Sequence, residues 1–85
     1  MTETVTFATP IPYGEETLSE ISLRKPTAGD LRGLKLMSVL ELETNSLLTL
    51  VPRLATPAVT SGQLQALSPG DLIKMAGVIG GFFED

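Results

Sequence analysis

The chain has 85 residues, of which 42% are hydrophobic and 19% are charged, a balance that predicts one small folded domain rather than a disordered tail. Its formal net charge of −4 offers no general attraction for phosphate backbones, so we expect no binding to DNA or RNA. The absence of cysteine excludes disulfides and thiolate metal sites, and the first residues lack the basic and apolar regions of a signal peptide, so we expect a cytoplasmic location.

The N-terminal part of the chain predicts a β-hairpin at about residues 4–24. Residues 4–9 alternate polar and apolar side chains, as in a strand with one buried face. Two prolines and a glycine within residues 10–14 then interrupt the pattern and predict a turn. A second strand over residues 17–24 completes the antiparallel pair. Because a hairpin alone is only marginally stable in water, one of its faces must be covered by other elements.

Signals for helix starts divide the segment at about residues 27–83 into three or four short helices, so the predicted fold class is α+β in a single domain. The first start is Thr27, a candidate N-cap with Asp30 three positions later. The conformation of residues 36–44 stays open, because apolar and acidic residues alternate there and fit either an extended piece or a continuing helix.

Clusters of capping residues mark the later starts. Residues 44–46 precede leucines at helical spacing, and Pro52 must kink or break that helix. Residues 60–63 begin a further short helical turn. Ser68 and Pro69 then supply an N-cap and a first helical residue for the last helix.

The last helix should run from Pro69 to about Gly80 or Phe83, and it is apolar nearly all round. One stripe consists of Leu72, Met75, Ala76, Ile79 and Phe83, while Ile73, Val78 and Phe82 lie on other sides. Such a helix is buried either in its own core or against a partner, and apolar stripes are more often core. The apolar run over residues 72–83 is too short to cross a membrane, so we expect no membrane partner.

No pattern in the sequence supports catalysis, a cofactor or a metal. The chain has neither His nor Cys, and acidic pairs such as Glu41 and Glu43 fit a solvated surface better than a glycosidase or metal site. Positive charge concentrates at the strand-to-helix junction and forms either a solvated patch or a docking site for an acidic segment. Its residues are Arg24, Lys25, Arg32 and Lys35. We therefore expect a protein that binds another macromolecule.

The segment Leu23–Leu34, which reads LRKPTAGDLRGL, resembles the small tail assembly chaperones of contractile-tailed, Mu-like bacteriophages and prophages. The step Leu67–Leu72 is also similar to that family, and the layout is similar from Val5 to the closing Phe82 and Phe83. The resemblance implies an assembly factor without enzyme activity or cofactor that binds the tape measure protein. It would keep that protein soluble in the host cytoplasm until the tail tube forms, and it would be absent from the virion.

A chaperone for an apolar helical client needs exposed apolar surface, so the resemblance makes interface and core equally good interpretations of the last helix. The partner-binding candidates are Ile73, Val78, Phe82 and Phe83, of which the two phenylalanines are the first choices. Leu72, Met75 and Ile79 are better candidates for the core. Self-association is a further option. Two other classes stay open: a structural or adaptor component of the tail, and a small acidic inhibitor of the antitoxin kind.

Overall fold

In the computed structural model, which describes residues 2–84, the chain begins with a β-hairpin of strands β1 (Thr2–Tyr13) and β2 (Glu16–Arg24). The two strands are antiparallel and are joined by a two-residue turn. Gly14 takes a φ of +65° in this turn, a conformation that favours glycine because it has no Cβ. The predicted hairpin is confirmed.

Strand β1 is longer than predicted, because it continues through Pro10 and Pro12 where the sequence predicted a turn. The sheet order is β1-β2-β3, so β1 is an edge strand and its outer side needs no N–H donors. The register also shifts between Thr6 and Ile11, which interrupts the ladder around Pro10. The chain therefore reverses only at residues 14–15.

A third strand, β3 (Ala55–Thr56), extends the sheet on the other side of β2. It is antiparallel to β2, with Ser22 opposite Thr56 and Leu23 opposite Ala55. The sequence did not predict this strand, since two residues are too short to show a period of two.

Within the described residues the chain forms four α-helices, as predicted. They are α1 (Leu36–Leu40), α2 (Thr44–Leu54), α3 (Ser61–Leu64) and α4 (Pro69–Phe82), preceded by a 3₁₀ turn at Ala28–Leu31. The open segment 36–44 is thus α1 followed by a tight turn into α2. Helix α2 continues past Pro52 and ends two residues later, so the proline does not divide it.

The predicted N-caps are present at the 3₁₀ turn, at α3 and at α4, on Thr27, Thr60 and Ser68. Thr60 forms the two reciprocal side-chain bonds of a capping box, of 2.8 and 3.0 Å. The N-cap of α2 is Glu43, one residue before the predicted cluster at 44–46. The capping residues in the sequence therefore predict most helix starts to within one residue.

The core lies between the sheet and the inner sides of the helices. Its members are Val5, Phe7, Ile11, Ile21, Leu23, Val39, Leu47, Leu50, Val51, Leu54, Val59, Leu64, Met75, Ile79 and Phe82. Met75 and Ile79 are core residues as predicted, whereas Leu72 is only partly buried at the edge of the core. Helix α4 packs mainly on β1, and this contact decides which of its sides is left to solvent.

Candidate functional site

Helix α4 has a buried side and an exposed side. Met75 and Ile79 are fully buried, and Phe82 is 6% exposed. On the opposite side Ile73 is 71% exposed, the highest value for a large apolar side chain in the described part of the chain. Glycines account for much of the rest of that side. The helix therefore presents apolar surface that no other described element covers.

A groove with a volume of about 520 Å³ lies along this exposed side and reaches the start of β1. Its lining residues are Glu3, Lys74, Gly77, Val78, Gly81 and Phe82. Gly77 and Gly81 keep it open, since a Cβ at either position would meet no atom within 4 Å. Ile73 lies one helical turn before Gly77 and extends the apolar surface along the helix. We call these lining residues together with Ile73 the α4 groove.

The four partner-binding candidates do not form one surface. Val78 and Phe82 line the α4 groove, and Ile73 adjoins it. Phe83 is partly buried against the core on the flank of α4 that carries Leu72, since the two are eleven positions, or just over three full turns, apart. The groove therefore includes three of the candidates and leaves Phe83 outside.

Phe82 was a first choice for partner contact, and the structure places most of it in the core. At 6% exposure it belongs to the core and also lines the groove, so its role in partner contact stays a prediction. The sequence placed Phe83, not Phe82, on the buried stripe. The reason for the difference is that α4 is rotated, so that its buried side is centred on Asp71, Met75 and Phe82 rather than on the stripe that begins at Leu72.

Asp71 explains this rotation, because its carboxylate is directed at the sheet and only 1% of the residue is exposed. The carboxylate accepts the backbone N–H groups of Ala8 at 2.9 Å and Thr9 at 3.1 Å, where the register of β1 is interrupted. The ammonium of Lys74 lies 3.5 Å away. Hydrogen bonds from Ala8 and Thr9 lower the pKa of Asp71 against the opposing effect of burial. The sequence showed Asp71 only as an acid in the first turn of a helix.

A second exposed apolar surface lies on α1 and consists of Leu36, Met37 and Leu40, which we call the α1 cluster. These side chains are 58%, 65% and 50% exposed. Met37 does not continue the apolar side formed by Leu31 and Leu34, because the 3₁₀ turn ends at Leu31 and the non-helical residues that follow break the helical spacing.

Residues of the LRKPTAGDLRGL segment form hydrogen bonds that fix the loop between β2 and α1. Arg24 donates two hydrogen bonds, of 2.8 and 2.7 Å, to the carboxylate of Asp30, which also accepts the N–H of Thr27 at 2.8 Å. Arg53 of α2 donates to the carbonyls of Asp30 and Arg32, each at 2.7 Å. The bonds from Arg24 and Thr27 hold the pKa of Asp30 well below its ordinary range. Arg24, one of the four basic residues singled out above, is therefore engaged within the chain.

The part of the chain that the structure describes has no candidate metal site and no candidate membrane-spanning helix. Among residues 2–84 no group of three or more His, Cys, Asp or Glu side chains is placed to hold a metal ion. In the same residues no helix has the length and apolar character required to cross a membrane.

Comparison with known proteins identifies close relatives. The family described as phage tail assembly chaperone proteins, E, or 41 or 14, matches residues 4–84. Tail assembly protein E of Escherichia phage P2 is 36% identical over 80 residues, which cover 94% of this chain and 88% of that protein. Tail assembly protein E′ of the same phage is 36% identical over 78 residues, which cover 92% of this chain and 55% of that protein, so the chain spans little more than half of E′. No solved structure matches the chain.

Proposed function

We propose that this chain, which belongs to the phage tail assembly chaperone proteins, binds an apolar helical segment of the tape measure protein in the α4 groove. By covering that segment it keeps the tape measure protein soluble while the tail is assembled. The proposal includes a location in the host cytoplasm and absence from the finished virion. Family membership supports the role in tail assembly, and the resemblance described above motivates the choice of client.

The observation that carries this proposal is the exposure of Ile73 beside a groove that two glycines keep open. An amphipathic helix that binds in a groove needs apolar contacts and close access to the backbone. Ile73 and Val78 offer the contacts, and Gly77 and Gly81 offer the access because they have no side chains to hold a second helix away.

The lining of the α4 groove carries charges of opposite sign. Glu3 is exposed at the start of β1, and Lys74 has a side chain that is 54% exposed. Opposite charges in a client helix would fix its direction in the groove, since complementary charges contribute more to orientation and specificity than to affinity.

The affinity of such a site can be estimated from its apolar side chains. Complete burial of one large aliphatic side chain contributes about 1.5–3 kcal/mol. Ile73 and Val78 would together contribute about 3–6 kcal/mol. The apolar groups of the client must supply the rest if the complex is to reach roughly micromolar affinity, about 8 kcal/mol, once the costs of association are subtracted. That strength suits a chaperone, which must release its client when the tail tube forms.

The test is to co-express the chain with the tape measure protein of the same genome and to measure the soluble fraction of the latter. Gly77→Leu places a large side chain in the α4 groove at a position where the added Cβ meets no atom within 4 Å, so we expect it to abolish solubilisation. Ile73→Ser should weaken binding by roughly tenfold or more, because it removes one large apolar contact. The matched control is Gly70→Leu, on the same helix and equally open but outside the groove.

Each outcome bears on a different part of the proposal. If Gly77→Leu still keeps the client soluble while remaining folded, the α4 groove is not the binding site. If the wild-type chain never associates with the tape measure protein, the choice of client is wrong. A chain retained in purified particles would instead be a structural component of the tail. No observation on this structure favours the antitoxin-like alternative.

A further inference from the structure

The α1 cluster is held at the surface by the fold. Val39, in the same helix, is 1% exposed in the core and fixes the side that α1 turns inward. Just after the helix, Leu42 reaches α4, where its Cδ1 atom lies 3.6 Å from the position of a Cβ on Gly80. Because α1 is anchored at these two points, the exposure of Leu36, Met37 and Leu40 is a built feature of the molecule.

Charges of opposite sign flank the α1 cluster. Arg32 and Lys35 precede it, and Glu41 and Glu43 follow it. All four side chains are exposed, and none forms an ion pair with another residue in the described part of the chain. Their placement also opposes the helix macrodipole, which favours acids at the N-terminus of a helix and bases at its C-terminus. These charges therefore do not serve the stability of α1 itself.

We propose that α1 is a self-association surface on which a second copy of the chain binds with its α1 antiparallel to the first. In that arrangement the two α1 clusters cover one another, and Lys35 of each copy faces Glu41 of the other. Lys35 and Glu41 are separated by about 9 Å along the helix axis, so both charge pairs form at once around a two-fold axis. The two helix dipoles are then also antiparallel.

The charge pattern decides between a second copy and another occupant. An acidic or a basic partner segment would be attracted at one end of α1 and repelled at the other. A copy of α1 is complementary at both ends and presents the matching apolar side chains. The contact is small, so we expect a weak dimer whose population depends on concentration. This inference uses a different surface from the α4 groove and is independent of the proposed client.

The test is sedimentation velocity over a range of concentrations with two charge-reversal variants. The double variant Arg32→Glu, Lys35→Glu makes both ends of α1 acidic, and the double variant Glu41→Lys, Glu43→Lys makes both ends basic. We expect the wild type to show a monomer–dimer equilibrium and each variant alone to associate about tenfold more weakly. An equimolar mixture of the two variants should restore association to at least the wild-type level, because unlike ends then face each other.

A further variant tests the apolar part of the contact. Met37→Ser removes the most exposed side chain of the α1 cluster and should reduce association without changing the urea unfolding curve. A wild type that stays monomeric up to its solubility limit would overturn the proposal, as would a mixture of charge variants that stays monomeric. If a fragment of the tape measure protein binds the wild-type monomer and Met37→Ser prevents this, the cluster is a client site and the second copy is excluded as its occupant.

Discussion

At the scale of single residues, Asp71 has the widest influence on the molecule. The interruption of β1 leaves the N–H groups of Ala8 and Thr9 without partners in the ladder, and the buried carboxylate of Asp71 needs such donors because a buried charge without hydrogen bonds is costly. A carboxylate can accept both bonds at once, which a hydroxyl or an amide cannot do as well. The same bonds rotate α4 so that Phe82 is buried and Ile73 is exposed.

The positions of Phe82 and Phe83 give a prediction about stability. Phe82→Ala should lower the free energy of unfolding by about 3–5 kcal/mol, because it opens a cavity beside fully buried neighbours. Phe83→Ala should cost less than half as much, since that ring is only partly buried at the edge of the core. Urea denaturation of the two variants measures the difference. Equal losses would contradict the orientation of α4 described here.

At the scale of elements, the short helices depend on local geometry as much as on packing. Helix α1 ends in a Schellman-type turn, in which the N–H of Glu43 bonds to the carbonyl of Ser38 at 3.1 Å and that of Leu42 to Val39 at 3.0 Å. Leu42 holds a φ of +56°, a position that usually favours glycine. Its side chain compensates by packing beside Gly80 of α4, so the turn connects α1 to the last helix.

The glycines of α4 give the prediction at this scale. Gly77→Ala should raise the free energy of unfolding by about 0.5–1 kcal/mol, since the site is open and alanine favours the helix. Gly33→Ala is the matched control, because that site is equally open but has a φ of +83° that strains any side chain. It should be destabilising, by about 1 kcal/mol. Thermal or urea unfolding that shows the same sign for both variants would contradict this interpretation.

At the scale of the whole molecule, Asp71 and the loop around Asp30 connect parts of the chain that are distant in sequence. Asp71 joins α4 to β1, and Asp30 joins the loop after β2 to Arg24 of that strand. Arg53 then ties the same loop to α2 through two backbone carbonyls. The sheet, the loop and the long helices are thus held together by charged groups at two separate places around the apolar core.

Acid should therefore weaken the whole fold. The pKa values of Asp30 and Asp71 are both lowered from the ordinary 3.8 on folding, so their contributions to stability are present above about pH 4 and are lost as the pH falls through the folded-state values. The urea midpoint should fall steeply below about pH 4. Asp71→Asn should start from a lower midpoint at neutral pH and show a shallower acid slope, because an amide accepts one N–H and turns its NH₂ toward the other.

The matched control for this titration is Glu20→Gln, an exposed carboxylate on β2. The urea midpoint of Glu20→Gln should equal that of the wild type at every pH. If Asp71→Asn has the wild-type midpoint at pH 7, the carboxylate does not hold β1 and α4 together as described.

The sequence by itself determined the features of the fold that depend on interactions between residues close together in the chain. Alternation of side chains predicted the hairpin, and the capping groups of Thr60 and Ser68 predicted where α3 and α4 begin, because these interactions extend over only a few positions. The LRKPTAGDLRGL segment was sufficient to indicate the family, and the match over residues 4–84 confirms it.

Only the tertiary structure decided which side of each helix is exposed. The bond between Asp71 and Ala8 joins residues 63 positions apart, and no local pattern encodes it. This long-range pairing sets the rotation of α4, buries Phe82 and leaves Ile73 and the glycine-lined groove at the surface. Similarly, the exposure of Met37 depends on how α1 is anchored through Val39. Partner surfaces are the sides that remain after long-range contacts are satisfied, and for that reason the candidate site could be only partly predicted.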